Sequence, residues 1–216
     1  MAGRLLEKMR SPTKLTDPRS ISSAELLLLA EMTHRINNDL TSIIACVSVT
    51  AARSTSRDAR LALAEVLMHL HEYARLHRVL QMPMNNQLIN ASAYLRELCQ
   101  AISRAKLQRN RIELVFVEHP IRLHSLQCWR LGMIVSELIT NSYRHAFGES
   151  GGTIRVELKK RSSRAECRVA DDGRCSGPVR SGHGLTIIRQ LADALDGEID
   201  LAFDKDGTVA LLSFPC

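Results

Sequence analysis

Aromatic side chains are scarce in this chain of 216 residues: one Trp, three Tyr and four Phe, 4% in all. So few rings leave no stacking platform of the kind that single-stranded nucleic acids need, and the cores must be built from Leu, Ile, Val, Ala and Met. Long apolar runs are missing too. A stretch such as Leu26–Ala30 falls far short of the roughly 20 residues that a membrane-spanning helix requires. The N-terminus is basic but lacks the apolar segment of a secretory signal. The six cysteines include no Cys-x-x-Cys pair and lie near no clustered histidines, which excludes the usual zinc and dithiol motifs. The expectation is a soluble, cytoplasmic protein with reduced thiols and no membrane insertion. Any sensing across a membrane would fall to a separate sensor protein.

What is present reads as an ordinary globular chain, 45% hydrophobic and 24% charged. The formal net charge of +6 is spread out rather than focused. Arg4, Lys8, Arg10, Lys14 and Arg19 lie in the N-terminal tail, and Arg155, Lys159, Lys160, Arg161, Arg164 and Arg168 straddle a turn. No basic run alternates with aromatics, so nucleic acid is not an expected partner.

Residues 1–20 carry Pro12, Pro18 and little periodicity, and read as a flexible tail. From Ser22 the apolar positions Leu29, Met32, Ile36, Leu40, Ile43 and Val47 recur at spacings of three and four, one stripe of a long helix. Arg53–Arg57 breaks it. A second stripe, Leu63, Val66, Leu67, Leu70 and Ala74, ends before Pro83. Two such helices form an antiparallel hairpin that cannot bury both stripes alone, so a homodimer with a four-helix bundle is expected over 21–83. Residues 84–90 read as a polar linker opening a second unit, 84–216. There helices are expected near 91–107, 126–146 and 185–195, and strands near 111–118, 153–158, 165–170 and 209–214. That order gives an α+β fold, a helical hairpin followed by an α/β sandwich with helices on one face of a mixed sheet.

Three constellations carry chemistry. In the first helix, Glu31, His34, Arg35, Asn37, Asn38 and Asp39 crowd polar groups beside the apolar stripe. A half-exposed imidazole held on a helix is a competent nucleophile near neutral pH, and Asn38 lies on its face four residues on. Near 126–146, Glu137 and Asn141 stand one helical turn apart, where a carboxylate and an amide oxygen can hold Mg2+ or its waters beside a triphosphate. Arg144 and His145 add positive charge there. Last, Asp171-Asp172-Gly173 ends a strand, where a carboxylate can accept from an exocyclic amine. Gly182-His183-Gly184-Leu185 then opens a helix whose free backbone N–H groups favour an anion.

In this order the motifs resemble the histidine kinases of two-component signalling, and within them the HWE-type group. His34-Arg35-x-x-Asn38 resembles the phosphoacceptor box, Glu137-x-x-x-Asn141 the N box, Asp171-x-Gly173 the first glycine box and Gly182-x-Gly184-Leu185 the second. Val66–His71, Tyr94–Leu98 and the ending Asp206-Gly207-Thr208 … Phe214-Pro215 are similar to that group as well. The resemblance implies a phosphotransfer hairpin joined to a Bergerat-type ATP-binding sandwich of the GHKL superfamily. His34, Asn38 and Glu137 would be the catalytic set. Asn141, His145, Asp171, Gly173, Gly182, Gly184 and Leu185 would bind ATP, with Asn141 also on Mg2+. The phosphoryl group would pass to an aspartate on the receiver domain of a response regulator. Cys175 stands where a further glycine is expected. The alternative reading is a dimeric histidine phosphotransferase whose ATP-binding domain has degenerated.

Overall fold

Helical periodicity sets the first two elements. In the computed structural model, which describes residues 23–148, 151–173, 183–204 and 207–216, α1 (Ser23–Arg53) and α2 (Arg57–Val79) pack side by side as a hairpin. The expected tail over 1–20 lies outside the described residues. Ser56 caps α2, its hydroxyl accepting from the Ala59 N–H at 3.3 Å. The apolar stripes of the hairpin stay open within one chain: Met32 is 59% exposed, Ile43 47% and Val66 45%.

The expected division at 83–84 falls in the turn between α2 and β1 (Leu88–Asn90). The end of α2 is nonetheless seated on the second unit. Leu76 is buried in the main core, Val79 and Leu80 pack against it, and Trp129 Nε1 donates to the Leu80 carbonyl at 2.9 Å. An ion pair between Glu65 and Arg109, 2.7 Å, adds a polar contact.

That unit is a mixed sheet under a layer of helices. β1 pairs antiparallel with β3 (Arg122–His124) as a small separate ribbon. The main sheet runs β2 (Ile112–Glu118), β4 (Gly152–Arg161), β5 (Arg164–Asp171), β7 (Gly207–Pro215), β6 (Glu198–Asp204). β2 and β4 are parallel and the other pairs antiparallel. Helices α3 (Ala91–Ile102), α4 (Ser125–His145) and α5 (His183–Asp193) lie against the sheet. The helix expected over 91–107 changes pitch within that span, Ser103–Leu107 forming a π-helical turn. β1, β3 and β6 have no counterpart among the expected elements.

Period-two alternation decides which strand residues face the helices. Ile154, Val156 and Leu158 of β4 are buried, as are Ala165, Cys167 and Val169 of β5 and Ala210, Leu212 and Phe214 of β7. Asp171 continues the inward register of β5. Its carboxylate is therefore delivered to the inside of the sandwich, among aliphatic side chains. Among the described residues no disulfide forms; Cys99, Cys128 and Cys167 are buried, and burial pushes the thiols of Cys99 and Cys128 up to about 12.

Candidate nucleotide and phosphotransfer site

α4 carries one wall of the site. Apolar residues Val135, Leu138 and Ile139 bury one side of it, leaving Glu137, Asn141 and His145 along an adjoining strip, half-buried at the first two and exposed at the third. Ser142 faces inward. A hydroxyl on a buried face needs a partner, and it finds one at the end of β5: Ser142 Oγ donates to Asp171 Oδ2 at 2.6 Å.

Asp171 is the centre of the arrangement. It is 8% exposed. Its Oδ1 accepts from the backbone N–H of Gly173 and of Thr208, each at 3.2 Å. Three elements thus converge on one carboxylate: α4 through Ser142, the turn after β5 through Gly173, and the start of β7 through Thr208. Asp172 is turned the other way, its Oδ1 accepting from the Thr153 N–H at 2.6 Å. Oδ2 of Asp171 is engaged by one hydroxyl, and the carboxylate keeps lone-pair capacity for another donor.

The glycines are dictated by closeness. A Cβ on Gly173 would run into the backbone and side chain of Ala146, and one on Gly184 would run into the Glu137 carboxylate. Glu137 therefore stands against the first turn of α5. Leu185 in the same turn is packed on the core. Gly182 and Cys175 lie outside the described residues. Glu137 against Gly184, Ala146 against Gly173 and Ser142 on Asp171 tie the C-terminal half of α4 to the start of α5 and to the end of β5.

His34 and Asn38 stand apart from that region, on α1. Both are exposed, and Asn38 Nδ2 lies 3.3 Å from His34 Nδ1. Beside them Arg35 pairs with Glu31 at 2.9 Å; that hydrogen bond, then the guanidinium charge, holds the Glu31 carboxyl below its usual range. Among the described residues no hydrogen bond or ion pair joins His34 or Asn38 to the Asp171 site.

Ser142 is not singled out by the sequence motifs; its signal is a polar residue on the apolar face of a helix. Thr208 enters the motifs only within Asp206-Gly207-Thr208, with no role, and because it donates through its backbone its side chain gives no signal of the contact.

Residues 88–214 match the family described as histidine kinase-like ATPase domain, and residues 31–106 match one described as histidine kinase. Blue-light-activated histidine kinase 2 of Erythrobacter litoralis is 25% identical over 202 residues, 87% of this chain and 56% of its own length. Sensor histidine kinase PdtaS of Mycobacterium tuberculosis is 25% identical over 205 residues, covering 87% of this chain and 39% of its own. The chain thus spans about half the length of these relatives or less. Among solved structures, the histidine kinase domain of an Erythrobacter litoralis blue-light-activated kinase superposes with a TM-score of 0.58 at 21% identity, over 81% of this chain and 95% of that one. A bacterial phosphotransferase superposes with a TM-score of 0.61 at 10% identity, over 89% and 98%. These likenesses show a shared fold. With the ATPase-domain match alone covering more than half of its length, and the helical hairpin matched beside it, the chain belongs to the histidine kinase family.

Proposed function

We propose that the chain is an ATP-dependent histidine kinase of two-component signalling, in which His34 takes the γ-phosphoryl group of ATP and passes it to an aspartate on the receiver domain of a response regulator. The observation that carries this reading is the buried Asp171 carboxylate, bonded by Ser142, Gly173 and Thr208 in a chain that also presents an exposed His34 on a helical hairpin. A degenerate pocket has no reason to keep a buried acid so fully positioned.

In this reading Asp171 accepts from the adenine amine, and the Gly173 and Gly182–Gly184 backbone admits the nucleotide closely. Asn141 would hold Mg2+, with Glu137 beside it, and His145 and Leu185 would border the ligand. When bound, the ion would supply positive charge at the phosphates, which is most of what such a transfer asks for beyond positioning. His34 is the nucleophile. With the Asn38 amide turned so that its oxygen accepts from Nδ1–H, the Nε2 lone pair of His34 faces solvent, the state that attack requires.

The open stripes marked by Met32, Ile43 and Val66 are covered by a second copy, two hairpins making a four-helix bundle. The cytoplasm, where ATP and receiver domains meet, is the working compartment. Among the described residues no helix is long and apolar enough to cross a membrane.

Incubation with labelled ATP and Mg2+ tests the assignment. Acid-labile label should appear on the wild type and vanish in both His34→Ala and Asn141→Ala. A folded wild type that takes up no label would overturn the kinase reading and leave the hairpin as a relay acceptor. Asn38→Ala should keep autophosphorylation while losing dephosphorylation of the phosphorylated regulator. Equal loss of both activities would instead make Asn38 the group that orients His34.

A further inference from the structure

Resting on the reading of the chain as an ATP-binding kinase, we propose that Lys106 is an additional phosphate-binding residue of the nucleotide site, acting beside Arg144 on the terminal phosphates. Lys106 belongs to the π-helical turn Ser103–Leu107, a distortion that wraps its side chain toward α4; such turns recur at functional positions. Its ammonium donates to Thr140 Oγ1 at 3.1 Å, and Thr140 is buried on α4 directly before Asn141. Asn110 pins the same turn, its Nδ2 donating to the Lys106 carbonyl at 2.9 Å.

The charges around this ammonium are unbalanced. Glu137 and Arg144, one helical turn to either side of the Thr140–Asn141 pair, both lie within its electrostatic reach. Among the described residues, no carboxylate stands within ion-pair distance of Lys106 or of Arg144. Burial first, and then the Arg144 guanidinium, push the Lys106 ammonium below its ordinary value, with Glu137 opposing them. From the hairpin side, His77 of α2 is half-buried near the same ammonium, and burial followed by the Lys106 charge lowers its pKa.

A half-buried cation, fixed by a neutral hydroxyl and facing a second cation, is costly as it stands. An anion between the two relieves the repulsion and gains charge-assisted hydrogen bonds from both. The strip of α4 on which they converge is the one bearing Glu137 and Asn141, where the triphosphate belongs. Arg144 follows from its position three residues after Asn141. Lys106 comes from an element 35 residues earlier in the chain, and only the fold brings it there.

Titration calorimetry on the full chain in Mg2+, with ATP and with AMP, tests this. Lys106→Met should weaken ATP binding about tenfold, the scale of one hydrogen bond to a charged group, and leave AMP binding unchanged. Lys106→Arg should restore most of the ATP affinity. Lys106→Gln, which keeps a donor for Thr140 but no charge, should match the methionine variant and serves alone where the latter does not fold. ATP binding at wild-type strength in the methionine or glutamine variant would overturn the proposal, and so would equal weakening of ATP and AMP, which marks a structural support. A wild type that binds neither nucleotide would instead overturn the ATP-binding reading itself.

Discussion

Asp171→Asn should give a folded protein that has lost at least about a hundredfold in ATP affinity. The amide oxygen can still accept from the N–H groups of Gly173 and Thr208, the two partners of Oδ1. The amide nitrogen then replaces Oδ2, and Ser142, whose hydroxyl now donates to that oxygen at 2.6 Å, has only to rotate and accept. Stability should therefore fall by about 1 kcal/mol, the worth of an ordinary hydrogen bond. Recognition has no such escape. An adenine amine is a donor, and it would meet a donor.

Asp171→Ala separates the two effects. It leaves the Ser142 hydroxyl and the Thr208 N–H without their acceptor inside the sandwich, costing about 2–3 kcal/mol more than the asparagine. Denaturant unfolding followed through Trp129, the single tryptophan, reports stability, and an ATP titration reports affinity. Wild-type ATP affinity in the asparagine variant would remove Asp171 from the binding site.

The second large effect is expected at the first residue of β7. Gly207 has φ +140, and a Cβ there would run into the Asp171 carbonyl oxygen. Only glycine adopts that backbone without strain. Gly207→Ala should destabilise the protein by about 3 kcal/mol, combining backbone strain with a clash that cannot relax into solvent. The affinity for ATP should fall as well, because the next residue supplies the N–H that fixes Asp171. Unfolding midpoints and the same titration measure both. A variant with lowered stability and unchanged ATP affinity would show that the Thr208 contact does not position the carboxylate.

Much of this arrangement is legible in the sequence, and the rest is not for identifiable reasons. α1 and α2 are legible because stripes at spacings of three and four survive over many turns. The strands β4, β5 and β7 are legible because one of their faces is buried, which enforces alternation. β1 and β3 are three residues each and exist only because they pair with one another across more than thirty residues of chain. Nothing local in Leu88-Ile89-Asn90 distinguishes a strand from a polar linker. β6 sits at the sheet edge with acidic residues at Glu198 and Asp200, a composition that suits an edge but hides a strand.

The site divides in the same way. Glu137 and Asn141 are neighbours on one helix, so their spacing alone puts them together. Asp171 is placed by strand parity, and Gly173 and Gly184 by the need for close approach. Ser142 and Thr208 reach Asp171 from elements separated from it by 29 and 37 residues, and no spacing rule connects them. The docking of Leu76 and Leu80 onto the second unit is equally invisible in the hairpin's own pattern. By itself, then, the sequence determined the elements that repeat and the motifs that lie within single elements, because periodicity and local spacing are properties of contiguous residues; the chemical class of the chain came from the resemblance of those motifs, in their order, to the histidine kinases. Only the tertiary structure decided which partners hold the buried carboxylate, how α2 seats on the sheet domain, and that Lys106 lies against α4. Those contacts join distant segments, and their free energy exists only once the core has closed around them.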